Sequence, residues 1–66
     1  MEQLLRHLAK ANIEVVQVDG KYVQLPQAYQ IEVENSNLFK LTEDGYVIAP
    51  FGDLDELCDF LTQCLS

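Results

Sequence analysis

His7, Cys58 and Cys64 are the side chains of this sequence best suited to serve as base, nucleophile or soft metal ligand. A histidine works as a general base only beside a nucleophile or an orienting carboxylate, and no motif around "LLRHLAKAN" supplies either. His7 falls at the boundary of a helical apolar face, so a half-exposed helix residue is the plainer reading. Two cysteines and one histidine fall short of the four ligands of a structural zinc site. Their spacing matches no CxxC pattern either. Cys58 sits inside an apolar stripe and reads as a small core residue. Cys64 lies in a last helical turn, where nothing depresses a thiol pKa. Six residues along one helix separate the two by roughly 9 Å. That exceeds the reach of about 7 Å between Cα atoms for a disulfide, which leaves only a crosslink between chains.

Carboxylates are more plentiful: Glu32 with Glu34, Glu43 with Asp44, and Asp53 with Asp55 and Glu56. Acid–base catalysis by a carboxyl pair needs an enclosing cleft to separate the two pKa values, and 66 residues leave little volume for one. Neither "ENSN" nor "TEDG" meets the calcium-loop pattern, and three glycines make no phosphate-binding loop. The residues therefore predict no enzyme, no metal and no cofactor.

The charge is distributed unevenly. Residues 1–40 carry five acids and four bases, a net of −1, while residues 41–66 carry six acids and no base, a net of −6. These sum to −7, a field that opposes direct binding to nucleic acid and to anionic membranes. No apolar run approaches membrane-spanning length, the N-terminal stretch has no secretory apolar region, and a cytoplasmic location is expected. Glu32, Glu34, Asp53, Asp55, Glu56 and Asp59 form a candidate acidic surface, either solubilising or directed at a basic partner.

The elements that must position these groups follow from periodicity. "MEQLLRHLAKAN" places Met1, Leu4, Leu5, Leu8 and Ala11 on one helical face, predicting a helix over 2–11. Asn12 suits the left-handed residue that ends it, with Ile13 packing back on the last turn. "IEVVQVDGKYVQLP" carries an Asp-Gly hairpin signal. A turn centred on Asp19-Gly20 predicts strands over about 13–18 and 21–25. Val16, Val18, Val23 and Leu25 then share a core face, and Ile13, Val15, Gln17, Tyr22 and Gln24 share the outer one. "YQIEVENSNLFKL" predicts strands over 29–34 and 38–42 around an Asn35-Ser36-Asn37 loop. In that register Val33 faces Phe39, Ile31 faces Leu41, and Glu32 meets Lys40. "YVIAPF" predicts a strand over 46–50, with Tyr46 and Ile48 inward if the preceding loop has two or four residues. A three-residue loop swaps those faces. In "GDLDELCDFLTQCLS" Asp53 reads as an N-cap in a capping box with Glu56, opening a helix over 53–65.

The stretches "VDGKYVQLP" and "EDGYVIAP" look like a repeat. Each is a hairpin turn leading into a strand stopped by proline, so their likeness is generic to hairpins and marks no duplicated site.

The expected fold is a single α+β domain over residues 1–66. One antiparallel sheet of 4–5 strands, built from consecutive hairpins, carries the N-terminal and C-terminal helices on one face. With no catalytic constellation, the surface takes precedence. Ile13, Val15, Tyr22, Gln24 and Leu38 form a candidate interaction surface for a protein partner or for self-association. An acidic inhibitor that imitates nucleic acid to occupy a basic groove is the alternative.

Overall fold

A computed structural model describes residues 2–35 and 37–65. The order is α1 (Glu2–Lys10), β1 (Gln17–Asp19), β2 (Tyr22–Gln24), a 3-10 turn (Pro26–Ala28), β3 (Tyr29–Asn35), β4 (Leu38–Glu43), β5 (Tyr46–Phe51) and α2 (Leu54–Leu65). The five strands form one antiparallel sheet in sequence order, each paired with its chain neighbour. The fold expected from the sequence is the fold observed. Met1, assigned by its spacing to the apolar face of α1, lies outside the described residues, as does Ser36 of the predicted Asn35-Ser36-Asn37 loop.

α1 ends by the predicted device. Asn12 takes φ 60°, the Ile13 N–H donates to the Leu8 carbonyl at 2.9 Å and the Asn12 N–H donates to the Ala9 carbonyl at 3.1 Å. This is a Schellman motif, which satisfies two carbonyls the helix end would otherwise leave open. α2 opens with the Asp53 side chain accepting from the Asp55 N–H at 2.8 Å.

Two hairpins use different turn chemistry. Between β4 and β5, Asp44 and Gly45 both have positive φ (51° and 86°) and Glu43 pairs with Tyr46, the pattern of a two-residue type I′ turn. Between β1 and β2 the turn moves one residue from the predicted place. Asp19 pairs with Tyr22, and the two turn residues are Gly20 and Lys21, of which only Gly20 has positive φ (60°). Glycine in the first central position alone is the type II′ pattern, which spares Asp19 and Lys21 a left-handed conformation.

β3 and β4 keep the predicted register, with Val33 opposite Phe39, Ile31 opposite Leu41 and Glu32 opposite Lys40. A bulge between Val33 and Asn35 brings Asn35 opposite Leu38. A second bulge, between Leu41 and Thr42, leaves Ile48 of β5 without an opposite residue.

The core lies between the sheet and the helices. Leu4 and Leu8 of α1, Leu57, Cys58 and Leu61 of α2, and Val23, Leu25, Tyr29, Ile31, Phe39 and Leu41 of the sheet are buried, joined by Ile13. Phe51 and Phe60 extend it toward one end with ring centroids 5.6 Å apart. The helix layer covers the edges unevenly: Phe60 of α2 reaches Phe51 at one end of β5, while β1 and the Tyr46 end of β5 stay uncovered. Of the two valines assigned by the sequence to the core, Val18 has the expected facing but is 43% exposed, and Val16, which precedes β1, is 58% exposed and outside the core. Val18 sits opposite the buried Val23, so the cause is position in the sheet rather than orientation.

Candidate functional site

The outer face of the sheet, which the helices leave open, is polar and charge-balanced. Gln17, Gln24, Gln30, Thr42 and Val47 form one cross-strand row. Within it the Gln24 amide donates to the Gln30 side-chain oxygen at 2.8 Å. The next row runs Asp19, Tyr22, Glu32, Lys40, Pro50. Lys21 reaches Glu32 at 3.0 Å and lies 5.6 Å from the Tyr22 ring centroid, while Lys40 reaches Glu34 at 3.0 Å. Glu32 therefore takes Lys21 as its ion partner, and its cross-strand neighbour Lys40 turns to the bulged Glu34. The hydrogen bond and charge of Glu34 push the Lys40 pKa up, and Lys40 in turn pulls the Glu34 carboxyl down.

The predicted surface of Ile13, Val15, Tyr22, Gln24 and Leu38 is only partly assembled. Ile13 is 7% exposed and belongs to the core, and Val15 is half-buried against that core. Neither is in a strand, because the Schellman turn directs Ile13 inward and β1 begins only at Gln17. Tyr22, Gln24 and Leu38 remain half-exposed on the outer face, among glutamines and ion pairs rather than in an apolar patch.

The acidic set divides in the same way. Glu32 and Glu34 are neutralised by Lys21 and Lys40. Arg6 of α1 is likewise held by Glu2 at 2.7 Å. Asp55 has the His7 Nε2 3.7 Å away. Among the described residues, Asp53, Glu56 and Asp59, together with Glu43 and Asp44, have no Lys or Arg within ion-pair distance.

The chemistry-bearing residues do not converge. The His7 Nδ1 lies 2.9 Å from the Gln3 carbonyl of its own helix. Cys58 is buried, and burial followed by the charges of Asp55 and Asp59 pushes its thiol pKa up. Among the described residues no group of three or more His, Cys, Asp or Glu side chains could hold a metal ion. A concavity of about 350 Å³ lies beside the ends of both helices, with Glu14 as the titratable group in its lining. No described helix is long and apolar enough to cross a membrane.

One set of polar neighbours, around the buried Tyr29, escaped the sequence reading. Tyr29 is buried on β3 opposite Glu43, and Cys64 in the last turn of α2 is its other polar neighbour. The Tyr29 pKa is pushed up to about 12 by the hydrogen bond to Cys64, by burial and by the neighbouring negative charges. A phenol held protonated in the folded state contributes stability that is complete below about pH 10 and is lost as the pH rises through about 12. Unfolding midpoints measured from pH 9 to 12 are expected to fall in the parent protein and to run flatter in Tyr29→Phe. The parent-minus-variant phenolate absorbance is expected to show one tyrosine ionising near pH 12 rather than near 10.

Three successive exposed apolar residues lie on β5. Tyr46, Val47 and Ile48 are 78%, 59% and 37% exposed. The two-residue turn puts Tyr46 on the inner side, as the sequence allowed, but the helices leave this corner uncovered. Ile48 stands at the bulge, and Val47 ends the outer glutamine row. The signal was present in "YVIAPF", an uncharged run at the last strand of the sheet. Neither its edge position nor the reach of α2 is written in that run.

The chain matches no family model, and no curated protein or solved structure is significantly similar to it.

Proposed function

We propose that this chain is a small, acidic, non-enzymatic protein-interaction module whose contact surface is the open β5 edge. The observation that carries this reading is that β5, the last strand of the sheet, leaves Tyr46 exposed on its inner side, Val47 exposed on its outer side and Ile48 exposed at the bulge. Isolated exposed apolar residues are ordinary, whereas three in succession on an edge strand offer apolar contacts on both sides of that edge to an added segment. A domain of 66 residues also gains from further burial, since its own core encloses only about 60% of the unfolded surface.

The test is Tyr46→Ser combined with Val47→Ser. Both positions are exposed, so each substitution is expected to change folding stability by no more than about 0.5 kcal/mol. Solution mass by light scattering, at two protein and two salt concentrations, reads self-association, and retention on an immobilised partner reads hetero-association. The double variant is expected to lose whichever association the parent shows while keeping its circular dichroism spectrum. Association undiminished in the double variant refutes this surface.

The unneutralised acids support a second reading, an inhibitor that presents Asp53, Asp55, Glu56 and Asp59 to a basic groove in place of phosphates. Glu32 and Glu34 add little to it, being balanced by Lys21 and Lys40. That association would weaken steeply with salt and survive the β5 double variant.

A further inference from the structure

The β5 edge also carries information about what it would accept, given that it is a contact surface as proposed above. From Tyr46 to Phe51 the strand has no charged residue. Glu43 and Asp44 stand before it, and Asp53, Asp55 and Glu56 stand after it. Within that bracket of residues 43–56 there are five acids and no base. The nearest base in register, Lys40 opposite Pro50, is held by Glu34. The two acidic ends are separated by a six-residue strand, roughly 20 Å of extended chain.

We infer that the β5 edge docks an extended segment of a different protein, with apolar residues at its centre and Lys or Arg at both ends. Charge complementarity selects this occupant over a second copy of the chain. Two copies meeting along β5 in antiparallel fashion set Glu43 and Asp44 of one against Asp53 and its neighbours in the other. In parallel fashion each acid meets its own equivalent. Either way like charges face each other across the contact, which is the arrangement that excludes a partner.

The backbone points the same way. Pro50 has no amide hydrogen to offer an added strand, and the bulge at Ile48 breaks the even spacing a long ladder needs. An incoming strand therefore finds only a short stretch of regular edge, and its recognition rests on side chains. Apolar contacts with Tyr46 on one side of the edge, Val47 on the other and Ile48 at the bulge supply burial, and the flanking acids supply register and choice of partner.

Three fluorescein-labelled ten-residue peptides test this. The first has an alternating Val-Thr-Ile centre and two Lys at each end, the second has the same centre with Glu ends, and the third has a Ser-Gly centre with Lys ends. Fluorescence anisotropy with the parent protein at low salt is expected to show the first binding at least tenfold more tightly than either of the others. Asp44→Asn combined with Asp53→Asn keeps the turn and the cap, because asparagine serves both positions. That variant is expected to weaken the first peptide several-fold, whereas Glu2→Gln combined with Glu14→Gln, remote from β5, leaves it unchanged.

Equal binding of the Lys-ended and Glu-ended peptides, lost in Tyr46→Ser/Val47→Ser, overturns the charge requirement while leaving β5 as the contact surface. Equal weakening by the near and remote acid variants reduces the effect to general attraction and overturns the inference. A parent dimer abolished by Tyr46→Ser/Val47→Ser, with no peptide binding, makes the second copy the occupant and overturns it as well. Undiminished binding of the first peptide to that double variant overturns both the inference and the proposed surface.

Discussion

Leu41→Ala is expected to lower the unfolding free energy by about 2–5 kcal/mol, measured as a shift of the urea midpoint with the slope unchanged. Leu41 is fully buried on β4, opposite Ile31 on one side and Ala49 on the other, beneath the helix layer. Truncation removes the transfer free energy of its outer methyl groups and leaves a cavity that a sheet hydrogen-bonded on both sides collapses into poorly. A globular chain of this length has roughly 3–10 kcal/mol of stability in total, so the variant would be largely unfolded at moderate temperature. Far-UV circular dichroism and sizing chromatography read that directly. A loss below about 1 kcal/mol would place Leu41 outside the core.

Ile13→Ser is expected to cost a similar amount, although Ile13 lies outside every helix and strand. Its N–H closes the Schellman turn on Leu8, and its side chain is 7% exposed within the core. Serine there leaves a cavity and an added hydroxyl in apolar surroundings, both unfavourable. Val16→Ser, three residues on and 58% exposed, is expected to change stability by no more than about 0.5 kcal/mol. The two variants, compared by chemical denaturation, discriminate between two assignments. If Ile13 faced solvent on a strand and Val16 faced the core, as alternation alone predicts, their order would reverse.

That contrast separates what local sequence decides from what it does not. The order of helix, five strands and helix, the antiparallel pairing of neighbours, the left-handed Asn12 and the Asp53 cap all follow from short-range rules. Periodicity, turn residues and caps act within a few positions, and here they agree with one another. The β3–β4 register was legible for the same reason. Matching Val33 with Phe39 and Ile31 with Leu41 satisfies one face, and Glu32 beside Lys40 satisfies the other.

What sequence alone left open depends on distance. Alternation put Val18 on the inner side, opposite Val23, but whether an inner residue is buried depends on how far two helices extend over a five-stranded sheet. Tyr46 meets the same limit at the opposite edge, where the bulge gives the place opposite Leu41 to Ala49 and takes Ile48 out of the predicted alternation. Ion partners depend on reach too: Lys40 bonds the bulged Glu34 because Lys21, from the neighbouring turn, already holds Glu32. Tyr29 and Cys64, far apart along the chain, are neighbours only because α2 packs back on the sheet. The candidate contact surface belongs to this second class. By itself the sequence determined the elements, their order, the core-facing side of β2, β3 and β4 and an acidic second half, because those are set by neighbours along the chain. Only the tertiary structure decided which apolar residues stay uncovered and which acids stay unpaired, because coverage and pairing are set by neighbours in space.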